Sequence, residues 1–227
     1  MPFTFSIIIP VLNEAAQIET CLMALQPLRS QTEIIVVDGS STDNTIHLAR
    51  PWVDTVLRSP PGRAKQMNLG ANAAYGDILV FLHADTFLPD NALTLIQQHL
   101  EYSQHDWGRF DVCLDSPHYL VKTVALMMNW RSRLTGIATG DQVIFVKRST
   151  FFAIGQYPDM ALMEDIALSA KLKTICKPIY LTAKVTSSAR RWHQHGIIKT
   201  IMLMWWLRLC YFFGTDVNNL ARIYRKR

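Results

Sequence analysis

Three aspartates stand where a chain that alternates strands and helices would expose a carboxylate. Asp38 closes the apolar run Val36-Val37 and is followed by Gly39-Ser40-Ser41-Thr42-Asp43. An acid there can accept hydrogen bonds from a nucleobase or a ribose, and the glycine lets the backbone approach a flat ring. The same residues also make an ordinary turn with an N-cap. Asp85 follows Val80-Phe81-Leu82-His83-Ala84, and an acid at the end of an apolar strand can hold a divalent cation against a diphosphate. His83, two residues earlier on one side of an extended chain, can reach the same site. Asp165, with Glu164 beside it, opens a helical segment as a general base for a hydroxyl would, although the helix dipole alone also favours acids there.

Cations and amides complete the set. Arg63 and Lys65 in Gly62-Arg63-Ala64-Lys65-Gln66-Met67-Asn68 oppose the dipole of the helix they open, a conflict that resolves if they face an anion and is otherwise a solvated basic turn. Asn13 and Glu14, after Pro10-Val11-Leu12, either cap the next helix or face the same ligand.

The elements that must position these residues read as an α/β arrangement. Strands are expected at Phe5–Pro10, Glu33–Asp38, Thr55–Arg58 and Ile78–His83, with helices at Ala15–Leu25, Asp43–Ala49, Arg63–Ala74 and Asn91–Glu101 between and after them. This is the pattern of a Rossmann-like, mostly parallel central sheet flanked by helices, in which ligands bind beyond the carboxyl ends of the strands. The second half is less regular. It predicts strands at Gly108–Leu114 and Val143–Lys147 and helices near Tyr119–Arg133 and Asp165–Lys173.

With 227 residues, 49% of them hydrophobic, the chain can bury one substantial core and is neither disordered nor fibrous. Its net charge of +5 is a C-terminal property: residues 190–227 hold 8 basic and 1 acidic side chains, against 15 and 17 in the remainder. A basic footprint confined to one end argues against a nucleic-acid partner and for a phosphate ligand or an anionic membrane surface. Cys21, Cys113, Cys176 and Cys210 are widely spaced and read as reduced thiols, and the N-terminus lacks a basic region or a secretory apolar stretch, so a cytoplasmic location is expected.

Taken in order, the stretches Ile7–Glu14, Val36–Asp43, Gly62–Ala71, Leu79–Thr86, Gly140-Asp141-Gln142 and Met163-Glu164-Asp165 resemble the inverting, nucleotide-sugar-dependent glycosyltransferases of family 2, which have the GT-A fold. The likeness is greatest to a small bacterial branch with a His-Ala-Asp motif, some members of which are associated with arsenosugar biosynthesis. The resemblance implies transfer of a sugar from a UDP- or GDP-type donor to a hydroxyl acceptor. In that reading Pro10, Asn13, Glu14, Asp38, Ser40, Arg63, Asn68 and Ala84 line the donor site, and Asp85, with His83 in place of the motif's first acid, holds Mn²⁺ or Mg²⁺. Asp165 and Glu164 are the catalytic pair, while Asp141, Gln142, Arg191 and Trp192 lie on the acceptor side.

The resemblance assigns residues 1–195 to the GT-A domain and leaves 196–227 as a C-terminal apolar helix and basic tail. In residues 197–213, Lys199 and Arg208 leave only Thr200–Leu207 uncharged, too short a stretch to span a bilayer. The segment is a core or homodimer-contact helix, or an interfacial one anchored by Trp205, Trp206 and Arg222, Arg225, Lys226 and Arg227, which would put the protein peripherally on the inner face of the membrane. Two alternatives stay open. One is a sugar-phosphate nucleotidyltransferase, against which stands the absence of a Gly-x-Gly loop after the first strand; the other is a non-catalytic nucleotide-sugar or membrane-surface binding module.

Overall fold

The structure, a computed structural model, describes residues 3–225, so Lys226 and Arg227 of the basic tail lie outside the described residues. In chain order the elements are β1 (Phe5–Val11), α1 (Ile18–Leu25), β2 (Thr32–Asp38), α2 (Thr45–Ala49), β3 (Thr55–Arg58), α3 (Arg63–Ala73), β4 (Ile78–Phe81), β5 (Thr86–Phe87), α4 (Ala92–Glu101), β6 (Trp107–Asp115), α5 (Tyr119–Thr135), β7 (Ile144–Lys147), α6 (Arg148–Ala153), α7 (Glu164–Leu172), β8 (Ile179–Ser188), α8 (Arg190–His195), α9 (Ile197–Phe212) and α10 (Val217–Arg225). One eight-stranded sheet has the order β3-β2-β1-β4-β7-β6-β8-β5. Four of its pairings are parallel and three, those of β4 with β7, β6 with β7 and β5 with β8, are antiparallel.

Both faces of the central strands are covered, which is why those strands read as unbroken apolar runs. On one face Ile7, Ile9, Ile34, Val36 and Val80 pack with α1 and α4 through Ile18, Leu22 and Ile96. The other face presents Ile8, Val37, Leu79 and Phe81 to Ala64, Met67 and Ala71 of α3 and Leu168 and Leu172 of α7. Gly70 brings α3 down onto the sheet: a Cβ there would lie 2.5 Å from Ile8 Cγ2 and 3.0 Å from Val37 Cγ2.

Several boundaries differ from the sequence expectation, each for a local reason. The first helix starts at Ile18, not Ala15, because the Ala15 N–H donates to Asp43 Oδ2 (3.2 Å) and keeps the loop open. The fourth strand ends at Phe81, not His83; the Thr86 N–H closes a turn on the His83 carbonyl (3.1 Å). His83 and Asp85 therefore lie on a turn, not on one extended face. β5 in the first half and α6, β8, α8 and α10 in the second add elements the sequence did not announce, and the C-terminal segment is a pair of helices broken at Gly214, φ 80°. Leu207 and Leu220 pack that pair against Met163 at the start of α7.

Candidate active site

Sheet directions bring the polar clusters to one edge. The carboxyl ends of β1, β2 and β4 lie side by side, since Val11 is opposite Asp38 and Ile8 is opposite Phe81. β7 runs against β4 with Ile144 opposite Phe81, which sets the Gly140–Gln142 turn beside His83. β5 pairs with the end of β8, and the Ser188 N–H donates to the Asp85 carbonyl (3.1 Å), so α8 with Arg190 and Arg191 starts at the same place.

The loops after β1 and β2 are stitched to each other. Asn13, at φ 55°, accepts the Thr42 N–H on Oδ1 (2.8 Å), the Asn13 N–H donates to Ser41 Oγ (2.9 Å), and the Glu14 N–H donates to Thr45 Oγ1 (2.8 Å). Asp38 is buried and accepts the Ser41 N–H on both carboxylate oxygens, at 3.0 and 3.2 Å, while Ser40 stands exposed beside it. Gln66, given no role by the sequence, fixes this floor: its Nε2 donates to the carbonyls of Val11 and Val37, each at 2.8 Å, and its amide lies 3.0–3.1 Å from where a Gly39 Cβ would be. Pro10 is half-buried within β1. Two expected donor residues are spent on packing. Asn68 gives both ends of its amide to the Tyr157 backbone (2.9 and 3.1 Å), and Ala84 is buried in the core.

At the centre His83 turns its Nδ1 to Asp141 Oδ1 (3.5 Å) and lays its Nε2 edge on Gly140, where a Cβ would lie 2.5 Å away. Surrounding atoms raise the Asp141 carboxyl, but the His83 bond and the charges of His83, Arg63 and Arg191 outweigh them and hold it below the usual carboxylate range. Burial raises the Glu14 carboxyl, with Arg190 opposing (Nη2 to Oε2, 3.4 Å) and the Asp85 charge adding. Burial lowers the Arg191 guanidinium, Arg63 adds to that, and Asp141 and Asp85 oppose it. Glu14, Asp85 and Asp141 thus share one field with Arg63, Arg190 and Arg191. Gln142 and Trp192, the other residues expected on the acceptor side, make contacts with the core. Gln142 is fully buried and bonds Thr139 and Asn129, holding the turn that presents Asp141, and Trp192 packs against the core.

Asp165 opens α7 with both oxygens engaged, Oδ2 by the Gly140 N–H (2.9 Å) and Oδ1 by the Ile166 N–H (2.7 Å). Burial and the adjacent Glu164 charge still raise its carboxyl, to about 6. It lines a small cavity with Arg63, His83, Gly140 and Tyr157. Arg131 of α5 is a further member that spacing did not reveal. Burial lowers its guanidinium while the charges of Asp165 and Asp141 support it, and its Nη2 is buried without a hydrogen-bond partner.

The fit of a divalent cation can be judged from these donors. Among the described residues no three His, Cys, Asp or Glu side chains form a cluster that could hold a metal. The Asp85 carboxylate accepts only a long 3.5 Å bond from Thr86 Oγ1 and is open to another partner. That donor set fits an ion bound through one carboxylate with the rest of its shell from substrate phosphates and water, as Mg²⁺ commonly is, and not a resident cage. His83, expected to reach the same site as Asp85, contacts Asp141 and Gly140.

The same architecture occurs in solved glycosyltransferases. The mannosyltransferase PcManGT from Pyrobaculum calidifontis, in complex with GDP-Man and Mn²⁺, superposes with a TM-score of 0.64 at 21% identity, covering 82% of this chain and 57% of that one. Glucosyl-3-phosphoglycerate synthase from Mycobacterium tuberculosis, in complex with Mn²⁺, UDP and glucosyl-3-phosphoglycerate, gives 0.61 at 19% identity, covering 80% and 70%. The fold is GT-A. In sequence, the chain is 30% identical over 171 residues to the PGL/p-HBAD biosynthesis glycosyltransferase of Mycobacterium tuberculosis strain H37Ra, covering 67% of this chain and 62% of that relative's length. The family model described as glycosyl transferase family 2 matches residues 6–156. With the ordered strand-end motifs and the GT-A sheet that presents them, this chain belongs to glycosyl transferase family 2.

Proposed function

We propose that this chain transfers a sugar from a UDP- or GDP-type donor to a hydroxyl acceptor in a single displacement with inversion, Asp165 acting as the base. The observation that carries the reading is Asp165 itself, a carboxylate raised to about 6 and held by two backbone N–H groups on the wall of a cavity shared with Arg63 and His83. A base tuned towards neutrality is partly protonated only in mild acid and keeps a strong drive to take a proton. In the step, the acceptor oxygen bonds to the anomeric carbon, the bond from that carbon to the diphosphate breaks, and the acceptor proton passes to Asp165. Arg63, Arg190 and Arg191 stabilise the charge that grows on the departing diphosphate.

Asp38 and the backbone of the stitched loops supply the surface for the nucleoside, with Gln66 holding the two strand ends at fixed separation. Asp85 would hold Mn²⁺ or Mg²⁺ together with the diphosphate oxygens, and the ion's chemistry there is neutralisation of the leaving group. The donor complexes of the structural neighbours support this choice of ligand and ion.

Asp165→Asn tests the reading. Turnover should fall by about 10²-fold or more, the range for loss of a general base, with calorimetric affinity for the diphosphate unchanged. Transfer at the parental rate would remove Asp165 from its role, and a folded parent protein that binds nucleotide sugar without turning it over would favour the binding-module alternative.

We also infer that α9 meets a lipid surface. No helix among the described residues is long and apolar enough to cross a membrane. Only Thr200 and Leu207 of α9 are buried, while Trp205 (66% exposed), Trp206, Leu209 and Phe212 (83%) face outward alongside Trp130 and Leu134 of α5. Lys199, Arg208 and Arg222 supply cations in a segment whose one acid is Asp216, which matches an anionic surface better than a second copy of the same cationic face.

A further inference from the structure

A second cavity, of about 520 Å³, lies between α8, α9 and α10. Its wall combines Leu203, Met204 and Tyr224 with three basic side chains, Arg191, His195 and Lys199, and no acid lines it. The volume falls within the range of small-molecule sites, which are apolar enclosures with a few convergent polar groups. Two contacts tie it to the candidate active site. Leu203, Met204 and Tyr224 belong to the same packed cluster as Met163 and Ile166, the residues that bracket Glu164 and Asp165. Arg191 stacks its guanidinium over the Tyr224 ring, 4.0 Å from the centroid, and shares the field of Asp85, Asp141 and Arg63.

We propose that this cavity is the acceptor subsite and takes an amphiphile: an aliphatic or aryl body against Leu203, Met204 and Tyr224, and one anionic group against Lys199. The assignment rests on the transferase reading above and deepens it. An apolar wall alone would take any hydrophobe, and a cationic rim alone would take any anion. Their union in one cavity favours molecules that carry both, because the apolar body leaves water while the anionic group meets an exposed cation at the rim. The apolar wall of the cavity packs on Met163 and Ile166, either side of the Glu164–Asp165 pair.

The test is calorimetric titration of the full chain with octyl phosphate below its critical micelle concentration, with inorganic phosphate and octyl glucoside as the two half-ligands, and with UDP and GDP plus Mn²⁺ on the same sample. Octyl phosphate should bind at one site at least tenfold more tightly than either half-ligand. Lys199→Gln should weaken it about fivefold, and Leu203→Trp, which fills the cavity, should abolish it while nucleotide binding is unchanged. Equal binding of inorganic phosphate or of octyl glucoside would overturn the amphiphile assignment. So would octyl phosphate binding that neither substitution alters, which would place it on the outer face of α9. Diphosphate binding without octyl phosphate binding would defeat this proposal alone. Octyl phosphate binding by a folded protein that takes neither diphosphate would instead defeat the transferase reading, and the acceptor assignment with it.

Discussion

A base must be ionised to accept a proton, so the raised carboxyl of Asp165 sets a pH window. Under saturating substrates, kcat should rise as pH increases through about 6 and then level off, and Asp165→Asn should show no such limb; a parental profile flat from pH 5 to 8 would contradict the assignment. The same residue links to stability. Its folded-state pKa lies above the ordinary value of 3.8, so the protonated form favours folding and that contribution is lost as pH climbs from about 4 to beyond 6. Relative to the parent, Asp165→Asn should therefore gain about 1–3 kcal/mol between pH 4 and pH 7, measurable as the difference between denaturant midpoints at the two pH values. Asp38, Asp85 and Asp165 could be picked out as candidates because each follows a strand or starts a helix, positions that local pattern marks. Gln66 and Arg131 could not, and His83 was picked out with Asp85, not Asp141, as its neighbour. What His83 does depends on Asp141, brought to it by the antiparallel pairing of β4 with β7, and no spacing within either segment encodes that partner.

At the scale of elements, α3 carries the floor of the site by sitting unusually close to the sheet. Replacing a helical glycine with alanine ordinarily stabilises by up to about 1 kcal/mol. At Gly70 the sign should reverse, because the added Cβ meets Ile8 and Val37 inside contact distance. Gly70→Ala should cost about 1–3 kcal/mol by the usual scale of overpacking and, by lifting α3, loosen the two Gln66 bonds to Val11 and Val37. Urea unfolding together with the affinity for diphosphate checks both effects, and an unchanged or raised midpoint would refute the close packing. The first four strands were readable because parallel strands buried on both faces form unbroken β-branched runs between helices. β8 was missed for the opposite reason. Its ten residues alternate buried and partly exposed positions, carry Thr, Lys and Ser, and are interrupted by a register shift opposite Phe110 and Asp111, so no apolar run marks them. Missing β8 also hid why Arg191 belongs to the site.

For the whole molecule, the outward face of α9 predicts behaviour that no single site controls. The protein should sediment with vesicles containing anionic phosphatidylglycerol at low ionic strength, and release should follow as salt rises and screens Lys199, Arg208 and Arg222. Trp205→Ser with Trp206→Ser should reduce the bound fraction several-fold. Failure to sediment, combined with a dimeric mass in light scattering, would assign the face to a second copy instead. The tiny pairing of β5 with β8 has a consequence of its own. Asp85 and Arg191 are separated by a hundred residues of chain, yet they become neighbours only when Thr186 and Ser187 close onto Thr86 and Phe87. During synthesis, then, a nascent chain can complete its first four strands before Arg190 and Arg191, two of the three arginines that share a field with Asp85, exist. On the proposed reading, affinity for a diphosphate is a property that arrives with α8, late in the chain.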